Sequence, residues 1–236
     1  MRLLKNSVFT AAAIYILLMV LLIFTALHAK GNYALTSIIF IILMLIPFFM
    51  SFENRRPQAR ELVPIAILST TAALGRVAFA AIPDVKPTSA IVIITGLSFG
   101  PQAGFITGAT AALASNIFFG QGPYTPWQMF AWGMMGFLSG LLGKLLNGRV
   151  PICIFGFLCS FLYGWIMDMW QVLGFVNPIN FKSVFLTFAA SFYFDLTHAL
   201  STTAFLLLLA KPWTKILTRV KTKYGLMNHI GGQLPD

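Results

Sequence analysis

The chain has 236 residues, of which 58% are hydrophobic and only 9% charged, a balance that excludes a soluble domain of this size. The net charge of +10 raises nucleic acid as a partner. No compact basic fold surrounds those charges, and they collect at the edges of apolar blocks, so membrane topology accounts for them and no nucleic acid is expected.

Apolar blocks at 7–27, 34–52, 61–82, 87–99, 103–119, 126–146, 151–173 and 184–210 predict eight helical spans. Most are near the ~20 residues that cross a hydrocarbon core. The block at 87–99 is short and is expected to be truncated or tilted. The first block follows Arg2 and Lys5 like a signal peptide, but it is too long and lacks a small-residue cleavage site, so it reads as a retained helix. The loop at 53–61 (ENRRPQARE) is broken by Pro57 and separates two plain helices from a region that carries Gly, Pro, Asn, Asp and His.

Basic residues alternate between rich and poor gaps. One set of gaps holds Arg2, Lys5, Arg55, Arg56, Arg60, Lys144, Arg149, Lys211, Lys215, Arg219, Lys221 and Lys223; the other holds Lys30, Lys86 and Lys182. Twelve against three places both termini in the cytoplasm. Arg76 alone lies inside a span.

Small residues recur at four-residue spacing: Ala66, Thr70 and Ala73; Gly104, Gly108, Ala112 and Asn116; Gly136 and Gly140. Such stripes let membrane helices approach closely, within the chain or against another protein. Cys153 and Cys159 fall on different faces of one helix and read as small packing residues. The basic segment after Pro212 is expected to lie at the surface and fray at its end.

With this orientation the intramembrane polar groups concentrate in the outer half: Arg76, Asn116, Asp168 and Gln171, with Asp195 near mid-depth and His198 one turn further in. Polar groups in hydrocarbon are costly and are found paired or facing a cavity. Arg76 with Asp195 or Asp168 is a candidate ion pair. Asp195 and His198 share a helical face, but one carboxylate and one imidazole fall short of a metal site. The outer loops add Asp84, Lys86 and the stretch FFGQGPYTPW at 118–127, which reads as a shaped lid or an interfacial belt. No nucleophile elbow, zinc-binding helix or phosphate loop appears, so neither an enzyme, a cofactor nor a metal is expected.

The central segment 86–143 (KPTSAIVIITGLSFGPQAGFITGATAALASNIFFGQGPYTPWQMFAWGMMGFLSGLLG) resembles the S component of energy-coupling factor (ECF) vitamin transporters. The features are a short helix after Pro87, the turn FGPQAG at 99–104, a small-residue helix ending in Ser115 and Asn116, the loop GPYTP and a Gly-rich helix through Gly143. The run AALGR at 72–76 is similar to the close of that family's first core helix. The resemblance implies an all-α, polytopic six-helix core over 61–210, preceded by two extra transmembrane helices within 1–60 and followed by a basic cytoplasmic tail over 211–236. The two extra helices depart from the family pattern.

It further implies a high-affinity binding subunit for a vitamin taken up from outside a prokaryotic cell. Its partners would be the lipid bilayer, a transmembrane coupling protein and two cytosolic ATPases. Docking through the first core helix would fall on Ala66, Thr70 and Ala73, where Thr70 replaces the family's usual second alanine. The wording at 75–79 and 120–130 is closest to cobalamin-type members, with flavins and thiamine open. Pocket and lid residues are expected at Arg76, Asn116, Gln121, Tyr124, Trp127, Asp168, Asp195 and His198. Of these, Arg76 and Asp195 would be polar anchors, Trp127 and Tyr124 apolar walls, and Gln121 a lid hydrogen bond. The rival is a stand-alone ion-coupled transporter working through Asp195 and His198.

Overall fold

The computed structural model describes residues 33–54 and 57–226. The expected first span, Lys30, Arg55, Arg56 and the end of the tail lie outside the described residues. Seven helices make up the regular structure within them: α1 Tyr33–Glu53, α2 Ala59–Ala78, α3 Thr88–Phe99, α4 Pro101–Phe119, α5 Thr125–Leu141, α6 Arg149–Phe175 and α7 Phe181–Lys223. Three of them, α2, α6 and α7, are long and apolar enough to cross a membrane. Loops 79–87, 120–124 and 176–180 lie on one side of α3, here the Lys86 end, with Lys86 itself reaching as deep as Ser201 of α7. The turn at Gly100 and the loop 142–148 share the other, the Arg149 end.

The breaks follow local chemistry. Gly100 and Gly148 adopt φ of 96° and 118°, a region open to glycine, and Pro101 starts α4 where a missing N–H costs nothing. Asn180 and Ser183 form a reciprocal capping box that launches α7.

The short block at 87–99 proves to be the hub. α3 spans only ~18 Å, and every residue in it except Leu97 is buried. It packs against α2, α4, α5, α6 and α7. Its apolar residues have no exposed face, and Thr88, Ser89 and Thr95 hydrogen-bond inside the bundle, so it suits such a position.

The small-residue stripes close the packing around it. A Cβ at Gly104 would lie 2.3 Å from the Gly136 carbonyl oxygen, and one at Gly108 would lie 2.4 Å from that of Trp132. The α4 and α5 stripes are therefore used inside the chain, where backbones touch directly. α1 packs beside this pair and α6, stacking Phe48 on Phe105 at 3.9 Å between ring centroids.

α7 departs from the expected block. It continues through Pro212 as far as Lys223, although proline removes a helix hydrogen bond. Tertiary packing holds the extension: Trp213 and Leu217 pack on the core, and Lys221 donates to the Ser98 carbonyl at 3.1 Å. The first part of the basic tail is therefore helical.

Candidate functional site

The polar residues singled out in the sequence gather in three groups toward the Lys86 end, the first two linked through Trp132. The first joins α2, α4 and α5. Arg76 Nη1, in the last turn of α2, donates to Ser115 Oγ at 2.7 Å and Asn116 Oδ1 at 2.6 Å. Asn116 passes the chain on through Nδ2, which donates to Thr125 Oγ1 at 3.0 Å and Gln128 Oε1 at 2.9 Å. Thr125 Oγ1 donates to Gln121 Oε1, and Gln121 Nε2 ties back to the Leu113 carbonyl. The Tyr124 hydroxyl donates to the Gly120 carbonyl, which closes the loop 120–124 on itself, while Gln121 ties it to Leu113 and Thr125. The guanidinium also sits 4.5 Å from the Phe119 ring centroid and 5.0 Å from that of Trp132, within range of cation–π attraction.

Trp132 leads into the second group. Its indole Nε1 donates to Ser89 Oγ at 3.0 Å, and Ser89 Oγ lies 2.7 Å from His198 Nε2. Tyr163 from α6 packs on both rings, 4.8 Å from Trp132 and 4.9 Å from His198 between centroids. All four residues are buried.

The third group lies between α6 and α7. Ser191 Oγ bonds Asp168 Oδ2 at 2.6 Å and stands 3.4 Å from Asp195 Oδ2. One hydroxyl proton serves one acceptor, so the shorter contact is the hydrogen bond. Asp195 lies against Gly164, where a Cβ would overlap its carboxylate in this position. Asp168, Gln171 and Trp170 open onto a cleft of about 680 Å³.

Several expectations change. Arg76 bonds neutral neighbours rather than Asp168 or Asp195, because α4 brings Ser115 and Asn116 to it first. Trp127 is buried in a separate cluster with Trp170 and Ile41, and its indole N–H has no partner among the described residues. On α2, Ala66 and Thr70 are exposed while Ala73 is buried, so the expected docking stripe divides. Lys86 pairs with Asp84 at 3.1 Å in the loop before α3, where burial holds its ammonium below the usual lysine range.

Sequence reasoning passed over Ser89, Thr125, Gln128, Trp132, Tyr163 and Ser191. A signal existed for three of them: Thr125, Gln128 and Trp132 stand at i, i+3 and i+7 on one face of α5. Ser89 and Ser191 carry none, since an isolated serine in an apolar helix is common and its partners come from distant helices.

Chemically, the assembly is a buried set of amides, hydroxyls and one guanidinium walled by aromatic rings. It can hydrogen-bond and stack on a solute. Among the described residues no three His, Cys, Asp or Glu side chains come together as metal ligands.

Comparison with known proteins gives the same direction. Residues 58–215 match the family described as ECF-type riboflavin transporter, S component. Two UPF0397 proteins from strains of Aliivibrio fischeri are each 24% identical over 170 residues, covering 69% of this chain and 79% of their own length. A UPF0397 protein of Aliivibrio salmonicida is 24% identical over 123 residues, covering 50% and 67%. No solved structure matches. The matched span takes in α2 to most of α7 and all three polar groups, and the chain therefore belongs to the family of ECF-type riboflavin transporter S components, membrane transport subunits rather than enzymes.

Proposed function

We propose that this chain is the multi-pass substrate-binding subunit of an ECF importer in a prokaryotic cell membrane. Both termini are cytoplasmic and the Lys86 end faces outward, a reading supported by the twelve-to-three distribution of basic residues. Family membership supports a vitamin as cargo, with a transmembrane coupling protein and two cytosolic ATPases as partners.

The observation that carries the binding reading is the Arg76–Asn116–Gln128 network laid against Trp132 and Tyr163. A buried polar network walled by aromatic rings suits a flat heteroaromatic vitamin of the flavin class. Its ring would stack on indole and phenol, and its carbonyl and imide edge would take hydrogen bonds from guanidinium and amides. Loading requires the loop 120–124 to lift, since it closes over Asn116. Asp195, Asp168 and His198 line the inner and lateral margin, with Gln121 and Tyr124 on the lid. Cobalamin is the second reading, favoured by the wording of 75–79 and 120–130. Coupling-protein docking falls on the exposed part of α2 around Ala66 and Thr70.

The test is equilibrium binding of riboflavin to the purified chain in detergent, followed by tryptophan and flavin fluorescence. Cobalamin, thiamine, biotin, folate and pantothenate run beside it. Saturable riboflavin binding without ATP or partner protein is the expected result. Tight cobalamin binding instead would replace the flavin assignment. Uptake by the chain alone, without ATPases, would overturn the importer reading in favour of the ion-coupled rival.

A further inference from the structure

At the Arg149 end, opposite the vitamin-binding groups, α3, α6, α7 and the loop 142–148 enclose a cleft of about 890 Å³. Four cations line it: Lys144, Arg149, Lys211 and Lys215. Each is exposed, and among the described residues no Asp or Glu lines the cleft. Lys86 pairs with Asp84 in the loop before α3, away from this cleft.

This placement is electrostatically unfavourable by itself. Lys211 and Lys215 stand at i and i+4 on α7, where like charges repel. Arg149 opens α6, at the positive end of the helix dipole, and that end has no acidic residue in its first turn and no side-chain cap. Thr214, also on the lining, holds a buried hydroxyl with no hydrogen-bond partner among the described residues. Cations, a helix N-terminus without a side-chain cap and a buried unpartnered hydroxyl around one cavity are the complement of a phosphate.

Most of the remaining wall is apolar, with Leu97, Leu146, Ile152 and Ala210 beside Asn147 and Thr218. A small soluble phosphate has no use for such a surface, whereas a phospholipid brings hydrocarbon and headgroup together. The cleft sits at the membrane edge that the charge distribution assigns to the cytoplasm, where anionic lipid attracts basic residues at ~1 kcal/mol each.

We propose that this cleft binds one anionic phospholipid, its phosphate among the four cations and its acyl chain along the apolar wall. The lipid neutralises the Lys211–Lys215 repulsion and ties the long α7 to the loop between α5 and α6.

Native mass spectrometry of the full chain, delipidated in neutral detergent and titrated with phosphatidylglycerol or phosphatidylcholine, tests this. The expected result is one retained phosphatidylglycerol, weakened by about five-fold for each neutralised cation and so at least tenfold in the Lys211→Gln, Lys215→Gln double variant. Lys182→Gln, at the opposite end, should bind as the parent does. A second double variant, Lys144→Gln with Arg149→Gln, gives an independent reading if the first fails to fold. Equal retention of phosphatidylcholine, or undiminished phosphatidylglycerol binding in both folded double variants, would overturn the proposal. Tight binding of glycerol phosphate that displaces the lipid would assign the cleft to a soluble phosphate instead. Riboflavin binding in the same samples reports the other end, so failure of one reading is distinguishable from failure of the other.

Discussion

The two ends of the bundle treat positive charge in opposite ways. At the Lys86 end a lone guanidinium, Arg76, lies within the bundle with two hydrogen bonds to neutral acceptors and two aromatic rings beside it. At the Arg149 end four cations stand exposed around a cleft that no carboxylate among the described residues lines. Neutral hydrogen-bond partners can hold a desolvated cation in place through geometry, and removing one member leaves the rest unsatisfied. Exposed cations depend on what arrives from outside and add little to the fold. The first arrangement builds structure; the second offers attraction.

Substitutions should separate these behaviours. The largest effect is expected from Arg76→Met, which strands the Asn116 carbonyl oxygen in a buried site. The expected loss is about 1–3 kcal/mol of stability, read as a lower melting temperature in detergent, together with loss of most vitamin affinity. Arg76→Lys should recover only part of the affinity, because an ammonium lacks the guanidinium fork. Trp132→Phe keeps an aromatic ring but removes the donor to Ser89, for an expected cost of about 1 kcal/mol. Asp195→Ala is expected to weaken vitamin binding in a protein that stays folded; unchanged affinity would remove Asp195 from the site. Smallest of all, Lys211→Gln with Lys215→Gln should change stability by less than about 0.5 kcal/mol in lipid-free detergent and leave vitamin affinity alone. A large loss there would erase the contrast between the ends.

Much of this was legible in the sequence, for reasons that vary by element. Hydrophobic blocks located α1 to α7 because apolar length is a strong signal in lipid. The Gly104–Gly108 and Gly136–Gly140 stripes marked close contact, and the structure sets Gly104 against Gly136. The central place of α3 was not legible: a short apolar block reads equally as a truncated span, and only its neighbours make it a hub. The helical run beyond Pro212 was hidden as well, since its support comes from Trp213, Leu217 and Lys221 meeting distant helices. In the site, Arg76, Asn116, Asp168, Asp195 and His198 stood out because charge and amide groups are rare in apolar spans. Their partners did not. Ser89, Ser115 and Ser191 are ordinary serines until the fold places them within 2.7 Å or less of Arg76, His198 or Asp168.

The central claim is that the cluster around Arg76 receives a vitamin. It is tested most directly by the riboflavin binding isotherm of the parent chain beside those of Arg76→Met and the Lys211→Gln, Lys215→Gln variant. The account predicts saturable binding by the parent, at least tenfold weaker binding by Arg76→Met and an unchanged isotherm for the double variant. Equal affinity in the parent and a folded Arg76→Met protein would contradict it.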